Sequence, residues 1–447
     1  MPTLLQKPFW KPFWGYGIGD YGLNLFWQSV GFYLFFYYTN VLGVSSSLVG
    51  TIILIGSLWD AVTDPAMGYL AERTKSRWGP YRPYLLFGAA PLGLTFGLLF
   101  TPVSLGSDSL EFIYLLAVLL AFRTCYTVVS IPYASLGARI TRDSNARTRL
   151  AGIRMYCGFL GGVSISFLAK KLQSYFPDDV AFPIMAFSAA FVGFLVLIGC
   201  FKATANTDHT LDAAVSPAPF MASLQAVLKN GPFLLLVGGI IFVTIANTII
   251  GQSLLFFFES HLGNRHVGTT AIVIMTAAPL VSIPLWAMIT LRIGKRNAWI
   301  AGSLIGVVGL APFNLGMANT ELLALVATTI ITLGLSSYAV IFWSMLPDTI
   351  EYGEYKSMVQ NESLLIGLAS SFQKVTIGLS AFALGILLEL VGYTPGIAAS
   401  NETAQGIKNI FSLIPMIALL LSSSLILFYP ITAKLHGEIL EALRKRA

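Results

Sequence analysis

Twelve long apolar stretches decide what this chain can fold into. They run near residues 15–39, 46–69, 82–103, 111–134, 150–173, 181–203, 232–259, 267–292, 296–317, 321–347, 362–392 and 408–431. A tilted helix needs about 17–25 such residues to cross a hydrocarbon core roughly 30 Å thick. Within lipid, every backbone N–H and C=O must be satisfied inside the protein, so only helices and closed barrels span. Stretches of this length predict helices. The 447 residues are 55% hydrophobic and 11% charged, against about 25% charged in soluble domains. The expected fold class is an all-α membrane protein of twelve transmembrane helices in two pseudo-symmetric six-helix bundles.

Charge placement orients the spans. Of the 27 lysines and arginines, twenty lie in the N-terminal segment, in the loops after even-numbered spans and in the C-terminal tail. Lys170, Lys171, Arg265 and Lys408 face the other side, and Arg123, Arg154 and Lys374 lie at membrane depth. The positive-inside rule then puts both termini in the cytoplasm. No apolar core precedes the first span, so no cleavable signal peptide is expected. The net charge of +6 reflects this topology and implies no nucleic-acid partner. Cys125, Cys157 and Cys200 all fall in apolar runs and read as small core residues. The most polar internal stretch divides the chain into a first bundle at 1–203, a cytoplasmic linker at 204–230 and a second bundle with its tail at 231–447. Weak internal similarity supports the division. Span four runs out as Ser130-Ile131-Pro132-Tyr133, and span ten as Ser344-Met345-Leu346-Pro347-Asp348. Two parallel repeats predict a site between them near the midplane.

The ionisable residues inside the spans point to function. Trp59-Asp60-Ala61-Val62-Thr63-Asp64-Pro65 sets two carboxylates at i and i+4 on one helix face, roughly 5–6 Å apart at Cβ. Each costs about 2.5–3.5 kcal/mol at bilayer depth on insertion scales. Their mutual repulsion calls for a proton or a cation, and hard cations prefer oxygen ligands. The pair therefore reads as a Na⁺, Li⁺ or H⁺ site; the alternative is a structural pair neutralised by a buried base. Asp20 and Asn24 repeat the i, i+4 spacing on a glycine-rich first span. Arg123, Thr127 and Ser130 share a face of span four. Arg154 lies about one turn into span five, and Lys374 near the middle of span eleven. Arg123 either pairs with Asp20 or faces the cavity, and Lys374 either pairs with Asp60 or Asp64 or joins the cation circuit. Tyr126, Trp27, Trp59 and Trp343 either pack a sugar ring or belong to the core. Asp348, Glu351 and Glu354, opposite Arg139, Arg142 and Arg147, suggest salt bridges between the halves that close a cytoplasmic gate.

Three motifs carry a resemblance. The first is Trp59 to Tyr69 followed by Arg73-Thr74-Lys75-Ser76-Arg77-Trp78-Gly79 and Arg82-Pro83. The others are Ile131-Pro132-Tyr133-Ala134-Ser135-Leu136 and Asp348-Thr349-Ile350-Glu351-Tyr352-Gly353-Glu354-Tyr355. With Tyr16-Gly17-Ile18-Gly19-Asp20, they resemble the glycoside–pentoside–hexuronide:cation symporters, the melibiose-permease-like branch of the major facilitator superfamily. The resemblance spans nearly the whole chain. It implies the major facilitator fold and cation-coupled sugar import by alternating access. It also implies Asp60, Asp64, Thr127 and the neighbouring Thr63 around the cation, Lys374 near that site, Arg154 near the cavity and Tyr126 facing the sugar; with Asp20, Asn24, Arg123, Ser130 and Trp343, the residues Tyr126, Arg154 and Lys374 make up the candidate substrate-binding set. Departures bear on the substrate. Melibiose permease has acids where Asn24 and Ser130 stand, an asparagine at Thr63 and a glycine at Arg123. A free Arg123 would favour a hexuronide.

The expected partners are a sugar or glycoside, a monovalent cation and the lipid bilayer, with no cofactor beyond the coupling ion. The expected state is a monomer in a bacterial-type inner membrane. An amphiphile carrier, similar to lysolipid transporters of the same fold, is the alternative. With no metal cluster, nucleophile motif or phosphate loop in the sequence, an enzyme is not expected.

Overall fold

A computed structural model of the chain describes residues 10–103, 106–140, 144–205, 227, 229–357, 362–395, 397 and 399–444. Among these residues every regular element is helical. The α-helices in order are α1 (Trp10–Ser29), α2 (Ser46–Arg73), α3 (Arg82–Leu99), α4 (Asp108–Ile140), α5 (Ser144–Gln173), α6 (Asp178–Ala203) and α7 (Gly231–Leu262). They continue as α8 (Arg265–Ile293), α9 (Lys295–Asn314), α10 (Glu321–Leu335), α11 (Ser337–Ser357), α12 (Glu362–Leu390), α13 (Asn401–Leu427) and α14 (Ala433–Arg444). The expected linker falls almost wholly outside the described residues, as do Arg142 and the side chains of Arg139 and Arg147.

Among the described residues, ten helices are long and apolar enough to cross a membrane, with α10 and α11 acting as one. The remaining two expected stretches are helical but interrupted or short. The first leaves α1 through two π-helical segments, Val30–Leu34 and Tyr37–Val41. There the Thr39 hydroxyl donates to the Phe35 and Phe36 carbonyls at 2.9 and 3.1 Å, a back-bond that competes with the regular ladder. The other is α3, whose first residues are Arg82 and Pro83. Arg82 is buried. Its guanidinium donates to the Phe201 carbonyl at 2.6 Å and lies 4.5 Å over the Phe201 ring, a cation on the last turn of α6. Span ten breaks at Ser336, whose hydroxyl is bound to Ser282 at 2.7 Å and donates to the Leu333 carbonyl at 2.9 Å.

The chain forms two compact units, Met1–Asp212 with Leu388–Ala398, and Ala213–Leu387 with Ala399–Ala447. In the first, α1 packs on α5 and α6, α3 on α4 and α6, and α2 on α4. In the second, α7 packs on α13, α9 on α10 and α13, and α8 on α10. Numbered by span, the pairings 1·6, 2·4, 3·4 and 3·6 of the first unit recur as 7·12, 8·10, 9·10 and 9·12 in the second. The weak repeat in the sequence is a repeat of packing. The first unit's core is aromatic: Phe26, Phe96, Phe100 and Phe122 are fully buried, with Phe96 within 6 Å of each of the other three rings. Such rings contribute about 0.5–1.5 kcal/mol per pair beyond their burial.

Candidate functional site

Between α2 and α4 the same sequence offset recurs at each turn. A Cβ on Gly56 would meet Leu119 Cδ2 at 3.0 Å. One turn on, Arg123 donates from Nη1 to Asp60 Oδ2 at 2.7 Å. A further turn on, the Thr127 hydroxyl donates to Asp64 Oδ1 at 2.7 Å. Each pair is 63 residues apart, and a constant offset over two turns requires parallel helices. Spans two and four cross the membrane in the same sense, so their i, i+4 rows can meet tooth for tooth. Gly56 supplies the close approach that small residues allow between membrane helices. Trp59 Nε1 donates to Thr124 Oγ1 at 2.9 Å at the edge of the same interface. Thr63, on the next position round, turns its hydroxyl back to the Trp59 carbonyl at 3.0 Å.

The Asp60–Arg123 pair is enclosed, with side-chain exposures of 3% and 4%. The Arg123 guanidinium also lies 5.3 Å from the face of Trp27, which in turn contacts Tyr126 at 5.4 Å between ring centroids. Sequence reading leaves Arg123 either paired with Asp20 or open to a cavity; the structure has neither. Arg123 projects from the α4 row that meets α2, so Asp60 is the acid within its reach.

Asp20 has a different partner. Arg154 Nε on α5 donates to Asp20 Oδ1 at 3.0 Å, and Asn24 Nδ2 donates to the Asp20 carbonyl at 2.9 Å and to Oδ2 at 3.3 Å. This cluster is open where the other is closed: the Arg154 side chain is 40% exposed and that of Asp20 13%. Glycines on α5 create it. A Cβ on Gly158 would come within 2.8 Å of Asn24 Nδ2, and Gly161 lies against the Tyr21 carbonyl. Gly158, Gly161 and Gly162 form a small-residue stripe on span five, the signal by which a close α1–α5 contact can be read from sequence. Tyr16 and Tyr133 stack at 4.5 Å beneath the pair, and Arg154 lies 5.5 Å over Tyr133. Ser130 is half-buried on α4, one turn past Thr127.

Trp343 and Lys374 lie in the second unit, on α11 and α12. Trp343 is exposed and packs edge-on against Phe342, and Lys374 is half-buried. Two of the acids expected at a gate between the halves have partners inside their own unit. Lys295 Nζ donates to both oxygens of Asp348, at 2.8 and 2.7 Å. His436 on α14 meets Glu351 and lies 3.5 Å from Asp348. Nothing in the sequence spacing singles out His436, because its partners lie some ninety residues earlier.

An all-helical chain with these spans is an integral, multi-pass membrane protein, and the matches that follow make it a transporter of the major facilitator fold. Residues 15–433 match the family described as MFS/sugar transport protein. The chain belongs to that family, as a sugar transporter of the glycoside–pentoside–hexuronide symporter type. It is 29% identical over 445 residues to a protein of Escherichia coli (strain K12) named "Glucuronide carrier protein homolog", covering 99% of this chain and 97% of that one. It is 27% identical to the "Isoprimeverose transporter" of Lactiplantibacillus pentosus, covering 98% and 92%. Among solved structures, that of the nucleoside transporter NupG superposes with a TM-score of 0.67 at 11% identity, covering 94% of this chain and 100% of that one. That likeness bears on the fold alone.

Proposed function

We propose that this protein imports a glycoside together with a monovalent cation by alternating access, across a bacterial-type inner membrane, with both termini in the cytoplasm. The observation that carries the reading is the half-open cluster of Asp20, Asn24 and Arg154. It gathers a carboxylate, an amide and a guanidinium inside otherwise apolar helices, which is the mixed donor and acceptor set that sugar hydroxyls need. Tyr126 and Trp27 beside it supply ring faces for the apolar side of a pyranose. Asp64 with Thr127 is the oxygen-rich pair proposed to sense the coupling ion. Trp343 and Lys374 are proposed as further substrate-binding residues. The protein needs no cofactor besides that ion and acts as a monomer.

The expected substrate is an acidic glycoside, and Arg154 rather than Arg123 is the group that selects it. Its Nε holds Asp20, so its terminal amino groups are the donors that a substrate carboxylate would meet. The name of the glucuronide carrier relative supports the same class. A charge-assisted hydrogen bond contributes about 1.5–3 kcal/mol, or roughly ten- to a hundred-fold in affinity. The test is uptake into proteoliposomes of a glucuronide and the matching glucoside, under Na⁺, Li⁺ and proton gradients in turn. Preference for the glucuronide, reduced in Arg154→Gln, is expected. Equal uptake of the two would make the substrate a neutral glycoside, and no accumulation under any gradient would refute cation coupling.

A further inference from the structure

We infer that Arg123 is a tethered cation that takes the place of an alkali-metal ion at Asp60, so that this transporter binds neither Na⁺ nor Li⁺ there. The inference rests on the reading of the chain as a cation-coupled carrier. It names a residue that decides which ion that carrier can use.

Two observations carry it. The Arg123 guanidinium stands 2.7 Å from Asp60 Oδ2, a charge-assisted hydrogen bond at full strength. Both side chains are almost completely enclosed, so the positive charge acts on its surroundings with little screening by water or salt. A second monovalent cation at that carboxylate would meet a fixed like charge at close range. A hard ion needs several oxygens converging on one point. Here one acid is held by a side chain that cannot lose its charge.

The arrangement also explains why the guanidinium reaches Asp60 at all. The constant offset between α2 and α4 sets position 123 directly opposite position 60, and Trp27 covers the guanidinium from the α1 side. A glycine at 123 would leave the space beside Asp60 open, with the acid pair unchanged. The ion preference is therefore decided one turn before Thr127, outside the acid pair itself.

The test compares purified protein in detergent in NaCl, LiCl and choline chloride at equal ionic strength and fixed pH, reading the thermal unfolding midpoint. The wild type should unfold at the same temperature in all three salts, within about 1 °C. Arg123→Gly should gain a midpoint several degrees higher in Na⁺ or Li⁺ than in choline, and Arg123→Gly with Asp60→Asn should lose that gain. Arg123→Lys, which keeps a tethered charge, should behave as the wild type does and serves if the glycine variant does not fold. A specific Na⁺ or Li⁺ shift in the wild type, or none in a folded Arg123→Gly, would overturn the inference. Uptake separates it from the reading beneath it. Accumulation driven by a Na⁺ gradient at fixed pH contradicts the tethered cation and leaves cation coupling intact, whereas the salt shifts are read without any transport.

Discussion

The Asp60–Arg123 pair is closed, and each partner sets the cost of changing the other. Breaking a buried pair from one side strands the other charge. Asp60→Asn, which leaves Arg123 enclosed without its carboxylate, should destabilise the protein by about 3–5 kcal/mol. Replacing both by leucine should cost far less, because no buried charge remains. Thermal midpoints of the two variants check the contrast: a double variant no more stable than Asp60→Asn would mean the pair does more than cancel charge. Thr127→Val removes a hydrogen bond to a carboxylate and should cost about 1.5–3 kcal/mol. The acids themselves are legible in the sequence, because an ionisable residue in an apolar run is conspicuous. Their partners are not, because Asp20 and Asp60 each had more than one basic residue available at membrane depth.

At the scale of the element, helix approach decides which partners meet. α1 and α5 come together over Gly158 and Gly161, and the Asp20–Asn24–Arg154 cluster occupies the resulting gap. Gly158→Leu should push the helices apart, costing about 1–3 kcal/mol through overpacking. It should also reduce glycoside uptake more than it lowers the thermal midpoint, because the cluster loses its geometry before the bundle loses its fold. Uptake at the wild-type level in a correctly inserted Gly158→Leu protein would place the substrate elsewhere. The C-terminal helix α14 lies on α11 and places His436 against Glu351 and Asp348. These pairs are partly exposed, and such pairs contribute about 0–1 kcal/mol each. His436→Ala should therefore loosen α14, read as faster proteolysis after Tyr429, while the midpoint of the whole protein moves little. The period of the apolar pattern shows where helices run. It does not show which of their faces carry the glycines that a neighbour will use.

For the whole molecule, repetition and charge asymmetry are the governing facts. Four helix pairings recur between the two units, although the two halves of the sequence share little beyond their span spacing and the polar exits of spans four and ten. Packing repeats where residues differ because the bilayer rewards any close, apolar helix contact, and many sequences supply one. The distribution of lysine and arginine predicts an orientation that fusions can check. A fluorescent protein joined after Ala447 should mature and fluoresce, and alkaline phosphatase at the same position should stay inactive. The reverse pattern would put the C-terminus outside and invert the whole topology.

The sequence alone determined the membrane class and the order of the long apolar helices, and it singled out the acids at membrane depth. Each of these depends on local composition: length and hydropathy for the spans, and the desolvation cost of charge for the acids. The family was legible as well, because its motifs are short and contiguous. Tertiary structure decided the pairing. Arg123 belongs to Asp60 because α2 and α4 run parallel with a constant offset, and Arg154 belongs to Asp20 because three glycines bring α5 up to α1. Which charge cancels which depends on distances of a few ångströms between helices far apart in the chain, and no local pattern of residues encodes them.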